Sequence, residues 1–248
     1  MRLASRRRVI VDAIILGLLA LAVIAVLLRS IGPVPHHGPY RMKSEITQLA
    51  LALERCRIEL GHGEYPPGST DDPEAFRQFL VKAFPDYHGE LPAKYKNLDA
   101  ASSLVFWLGG MADKDGRMIG FSADPKNPFD TANKSRIGPF IDFDPARLRY
   151  DGGLLVYLPW KDNSQSNPLV YFRADSKGEY HGAWKKCRPC RDSVNGGWVN
   201  PESFQLFAPG KDGRCGSGVQ YPSGTDYDAQ RRDDLSNFAR GALGNDIP

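Results

Sequence analysis

Apolar and polar positions alternate in three different ways along the chain, and each pattern predicts a different kind of element. The first is an unbroken apolar run, VIVDAIILGLLALAVIAVLL, from Val9 to Leu28. As a helix it would be about 30 Å long, the thickness of a bilayer core. Asp12 is its one charged residue and lies a turn inside the interface, near Arg8. Arg2, Arg6, Arg7 and Arg8 precede the run, so the positive-inside rule predicts a cytoplasmic N-terminus and an exported remainder. The run ends in Val-Leu-Leu-Arg-Ser-Ile, which offers no small-x-small cleavage site. These features predict an uncleaved single-pass anchor, a periplasmic or extracytoplasmic C-terminal domain, and membrane lipid as a partner.

The second pattern has a helical period. GPVPHHGP (Gly32–Pro39) is a proline- and glycine-rich linker whose adjacent His36 and His37 read as solvated. After it, Ile46, Leu49, Ala50, Leu53, Cys56 and Leu60 recur on one face of a helix over Met42–Leu60, ended by Gly61. Two shorter helices are predicted over Pro73–Phe84, with proline at its first position, and over Ala100–Leu108. The third pattern begins at Ile137. IGPFIDF (137–143), LLVYLPW (154–160), LVYFRA (169–174) and FQLFA (204–208) are short, aromatic and β-branched, with turn residues between them. Helices first and strands later predict an α+β fold with an antiparallel sheet. The chain thus divides into a basic cytoplasmic segment (1–8), a transmembrane helix (9–29), a linker (30–40) and an exported domain (41–248).

Composition narrows the function classes. The net charge of +3 is owed to the leading arginines, so no basic face for nucleic acid is visible. The 25 glycines and 19 prolines favour a loop-rich domain over a helical bundle. No Gly-x-Ser-x-Gly, His-Glu-x-x-His or phosphate-loop motif occurs, and His62, His88 and His181 stand alone in polar turns; no residue is predicted to be catalytic. Asp113 and Asp115 fail the spacing of an EF-hand, with Met118 where its glycine belongs, and read as a turn. Cys56 falls on the apolar stripe of the first helix. Cys187 and Cys190, in KKCRPCR, have thioredoxin spacing; a local disulfide staple, free thiols, zinc with Cys56 and Cys215, and redox activity all remain open.

Three local stretches carry a family likeness: LALALERCRIELGHGEYPP (49–67), NPLVYFRA (167–174), and FQLFAPGKDGRCG (204–216) followed by DDLSNF (233–238). In this order, after an apolar N-terminal helix, they resemble the pseudopilins, most closely the major pseudopilin of type II secretion systems, within the type IV pilin-like proteins. The stretch Arg8-Val-Ile-Val-Asp12 has neither the glycine nor the phenylalanine of a prepilin cleavage site. The resemblance implies an amphipathic helix packed on an antiparallel sheet. It implies a structural or assembly role in protein secretion, with other pseudopilins or secretion-system components as partners. It also implies one structural calcium ion, held by the carboxylates of Asp212, Asp233 and Asp234 and by carbonyls near Phe207 and Arg214, with Asp226 and Asp228 as substitutes. Read without the resemblance, the same residues make a hairpin turn with solvated acids. The alternatives to an assembly role are a non-assembling anchored binding module and, more remotely, a thiol oxidoreductase built on Cys187 and Cys190.

Overall fold

The fold is organised by one long helix, α1 (Gly38–Glu59), in a computed structural model that describes residues 38–160 and 166–246. The buried stripe of α1 is the predicted one: Met42, Ile46, Leu49, Leu53 and Cys56, continued by Leu60. It packs against β7 (Phe204–Ala208) and β9 (Leu235–Ser236). These two strands form the antiparallel order β5-β7-β9 with β5 (Val170–Arg173), so the central strand β7 is buried throughout. The start of α1 is tied to distant chain. Lys43 donates to the carbonyls of Ser236 and Ala239. Glu45 takes both prongs of the Arg147 guanidinium, at 2.5 and 2.8 Å, and the Tyr157 hydroxyl at 2.9 Å.

Helix α2 (Pro73–Ala83) starts at an Asp72 cap whose carboxylate accepts the Ala75 amide at 3.0 Å. It buries Phe76, Phe79, Leu80 and Ala83. Helix α3 (Ser102–Gly109) is buried on every side, as its SSLVFWLG sequence requires. Phe76, Phe79, Phe106, Trp107 and Phe121 pack there as a tilted aromatic cluster with ring separations of 4.8 to 6.3 Å. The PPG turn after α1 is anchored by three carbonyls in succession. Pro66 accepts from the Tyr171 hydroxyl (2.7 Å), Pro67 from the Trp107 indole (3.0 Å) and Gly68 from the Ser103 hydroxyl (2.6 Å).

The single antiparallel sheet expected from sequence is instead four small sheets. β1 (Phe121–Ser122) pairs with β2 (Arg136–Ile137), and β3 (Leu148–Asp151) with β4 (Leu154–Tyr157). The Gly152-Gly153 turn of the β3-β4 hairpin has both φ angles positive, +58° and +85°, which suits glycine and matches the strand twist. β6 (Arg191–Asp192) and β8 (Gln220–Tyr221) run parallel. The predicted strand over 137–143 stops at Ile137, because Gly138 turns to φ +74° and Pro139 has no amide to donate. Phe140 and Phe143 enter the core from irregular backbone. A last short helix, α4 (Ala229–Asp233), precedes β9.

The membrane expectation is corrected. Among the described residues no helix is long and apolar enough to cross a membrane, which counts against a single-pass protein with a periplasmic domain. The longest helix, α1, carries Arg41, Lys43, Glu45, Glu54, Arg55, Arg57 and Glu59. The segments expected at 1–8 and 9–29 lie outside the described residues. The expected linker also gives way at its end: α1 begins at Gly38 and includes Pro39, which a first helical turn tolerates. The contact pattern divides the chain between His37 and Gly38.

Candidate functional site

The acids expected to hold calcium sit where the tail folds back, and each accepts a backbone amide. Asp233, at the end of α4, accepts the amides of Lys211 (2.7 Å) and Asp212 (3.2 Å) on its Oδ2. Asp212 turns its own Oδ1 onto the Arg214 amide at 2.8 Å. Gly210 is required at this approach, since a β-carbon there would lie 2.3 Å from Asp233 Cγ. Asp234 points the other way, fully buried, with Oδ2 on the Gly216 amide (3.0 Å) and 3.4 Å from Arg231 Nη1. Asp226 and Asp228 are likewise committed, to the amides of Val219, Gln220 and Arg231. Phe207 lies in the central strand. Leu206 uses both its amide and its carbonyl on Asn237, so strand alternation turns the Phe207 carbonyl toward β5 and away from the acids.

The expected ligand set therefore does not fit calcium. Among the described residues no three His, Cys, Asp or Glu side chains are grouped to hold a metal. The acids close the tail themselves, by accepting backbone amides directly. Burial and the neighbouring Asp212 carboxylate push the Asp233 carboxyl above the usual carboxylate range, while the amides of Asp212 and Lys211 hold it down. One oxygen of Asp233 and one of Asp234, Oδ1 in each, is buried without a protein partner.

The densest chemistry lies just inside this turn, around a guanidinium. Arg231 is completely buried. Its position follows from local sequence: Asp228 caps α4 by accepting the Arg231 amide at 2.7 Å, and the short helix then aims the side chain inward. Nη1 lies 3.4 Å from Cys187 Sγ and 3.4 Å from Asp234 Oδ2. Nη2 lies 3.1 Å from Cys190 Sγ and donates to the Arg188 carbonyl at 2.7 Å. The cation stacks 4.3 Å from the Phe207 ring centroid. Cys215 is buried in the same core cluster as Cys187 and Cys190. Cys190 has the Tyr227 hydroxyl at 3.7 Å.

A buried cation demands a counter-charge. Burial opposes the charge on Arg231, but Cys187, Cys190 and Asp234 outweigh it and hold the guanidinium protonated. Burial pushes the Asp234 carboxyl well up, and Cys187 adds to that rise. Burial also opposes ionisation of Cys187, yet the Cys215 thiol and the Arg231 cation bring it below the usual thiol range. Cys215 moves well above it, through Cys187 and through burial.

The cysteine backbones are pinned. Trp184 and Cys187 exchange amide bonds at 2.8 and 3.0 Å around a tight turn with Lys185 at φ +52°. Gln205, fully buried on β7, accepts the Cys190 amide (2.6 Å) and donates to the carbonyls of Cys190 (3.0 Å) and Val199 (2.7 Å). Asn167 accepts the Cys215 amide at 2.8 Å. All four cysteines are free thiols, so the staple expected between Cys187 and Cys190 is not formed. Neither does that pair open a helix, the setting a thioredoxin-like thiol requires.

Sequence reading placed Cys187, Cys190 and Cys215 in loops and missed Arg231, Tyr227 and Gln205. The available signal was Asp228, a capping residue three positions before Arg231. His62, His88 and His181 are exposed, as predicted, and Asp113 closes a turn on the amides of Asp115 and Arg117. A groove of about 360 Å³ lined by Thr70, Pro73, Phe76, Leu80 and Leu91 shares no residue with the cluster. Comparison with protein-family models, with curated proteins and with solved structures finds no match for this chain.

Proposed function

We propose that the protein is a structural subunit of the pseudopilin type, which works by side-by-side packing of its long helix against a second copy of the chain. One observation carries the reading: besides its buried stripe, α1 bears two large apolar side chains on its outer side. The inner face is buried on β7 and β9. The outer face bears Leu51 and Ile58, 62% and 63% exposed and two turns apart, so one stands above the other. Ser44, Thr47 and Gln48 continue that face without charge, and its one cation, Arg55, is paired with Glu59 at 3.5 Å. Such a face suits a neighbouring helix better than it suits water. In the cysteine cluster Arg231, Asp234 and Gln205 bond to the backbone of neighbouring loops, which suits a structural part.

Cysteine cross-linking of the full chain tests it. Leu51→Cys and Ile58→Cys should each give disulfide-linked dimers under mild oxidation, while Glu74→Cys, on exposed α2 surface, should not. A folded protein that yields equal or no adducts at all three positions would remove the helix-packing role.

A further inference from the structure

We infer that the outer edge of β3 pairs with the same edge of a second copy, joining two β3-β4 hairpins about a two-fold axis at Tyr150. The edge is open. The Gly152-Gly153 turn closes the hairpin at Asp151 and Leu154, and further along the Leu158 amide reaches the Arg147 carbonyl at 3.0 Å. Antiparallel bonding alternates, so Arg149 and Asp151 turn their backbone groups toward β4. The carbonyls of Leu148 and Tyr150 and the amides of Tyr150 and Gly152 therefore point away from it. Among the described residues none of these groups has a partner, and Tyr150 is 67% exposed.

The sequence Leu148-Arg149-Tyr150-Asp151 is its own complement in one register. With Tyr150 opposite Tyr150, each Tyr150 amide meets the other copy's Tyr150 carbonyl, and each Gly152 amide meets a Leu148 carbonyl. Arg149 then stands opposite Asp151 of the second copy, on both sides of the axis, where side chains come closest. A slip of two residues in either direction sets Arg149 against Arg149 or Asp151 against Asp151, which is repulsive. A slip of one residue turns the free amides away from the free carbonyls. Asp151 lies 3.9 Å from Lys185, a weak contact between exposed groups. Arg149 donates to the Ser166 carbonyl at 3.3 Å, and a guanidinium with five N–H donors holds that bond and a carboxylate together.

This contact goes beyond the packing of α1 and does not depend on it, since β3 and the outer face of α1 are separate elements. A two-fold edge pair uses the same surface on both copies and closes after two. It is also short. A few main-chain bonds and one cross-strand tyrosine pair fall below the area of a permanent interface, so the dimer forms as concentration rises and parts on dilution.

Hydrogen exchange of the full chain over a concentration series, read residue by residue in the mass spectrometer, tests the edge directly. The Tyr150 and Gly152 amides should exchange fast in dilute protein and slow several-fold as concentration rises, while the amides of β4 stay unchanged. Asp151→Lys and Arg149→Glu each set like charges opposite one another and should each lose the effect. An equal mixture of those two variants restores both opposite pairs and should recover it. Tyr150→Pro removes an amide that has no partner within one copy, and should lose the effect at Gly152. Leu51→Glu, on α1, should keep it, so failure of helix packing is told apart from failure of edge pairing. Exchange that is slow at every dilution, or that ignores concentration, would overturn the proposal. So would an effect that survives Tyr150→Pro, one that Leu51→Glu removes, or a mixture that fails to recover it. The wild-type series alone separates pairing from its absence, so the result does not depend on any variant folding.

Discussion

Replacing Asp233 separates a loop held by a carboxylate from a loop held by a metal ion. Its Oδ2 accepts two amides, at 2.7 and 3.2 Å. A hydrogen bond to an ionised group is worth about 1.5–3 kcal/mol net, and an ordinary one about 1. Lys211 and Asp212 are both exposed, so water takes over part of each bond when the carboxylate is removed. We therefore expect Asp233→Ala to cost about 2 kcal/mol, two bonds at the ordinary value. Asp233→Asn keeps one oxygen for both amides and removes the repulsion from Asp212, so it should be neutral or slightly stabilising. The pH dependence has a defined sign. Because the folded carboxyl titrates above its unfolded value, the folded state holds the proton more tightly. Wild-type stability falls as pH rises from the unfolded pKa through the folded one, and the advantage of Asp233→Asn grows across that interval. Urea unfolding of the three proteins between pH 3 and pH 7, with millimolar calcium or with chelator, measures all of this. Calcium should leave every midpoint unchanged. A calcium-dependent midpoint in the wild type, lost equally in Asp233→Ala and Asp233→Asn, would refute the direct-clip account and restore the ion.

Two further changes probe other joints. Arg147→Met strands Glu45 in a setting where both side chains are mostly buried, and should cost about 3–5 kcal/mol in denaturant titration, the usual penalty for breaking a buried pair. Gln205→Leu leaves the Cys190 amide and two carbonyls without their partner, so it should cost about 2–4 kcal/mol and abolish hydrogen-exchange protection of the Cys190 amide ahead of the rest of β7.

The parts of the fold that were legible in the sequence are those whose periodicity is sustained. The α1 stripe from Ile46 to Leu60, the Pro73 start of α2 and the FQLFA strand are legible within a residue or two, the stripe and the strand because each repeats its pattern, the α2 start because proline favours a first helical position. The small sheets were not, since β1, β2, β6, β8 and β9 are two residues each and leave no alternation to detect. At the site, sequence correctly drew Asp212 and Asp233 to one bend. It could not assign their bonds, because a carboxylate that accepts amides and one that binds a metal look alike in one dimension. Arg231 was hidden for a different reason. Arginine is ordinarily solvated, and here two sulfurs and a carboxylate meet the guanidinium in the interior, which no single stretch of sequence reveals.

The bonds from Lys43 to the Ser236 and Ala239 carbonyls join the opening turn of α1 to the closing strand of the domain. A load applied along the chain at the start of α1 would therefore not unwind the helix turn by turn. It would be passed sideways into β9 and, through Glu45, into the β3-β4 hairpin. Under tension the domain should behave as a single link that resists until it yields as a whole.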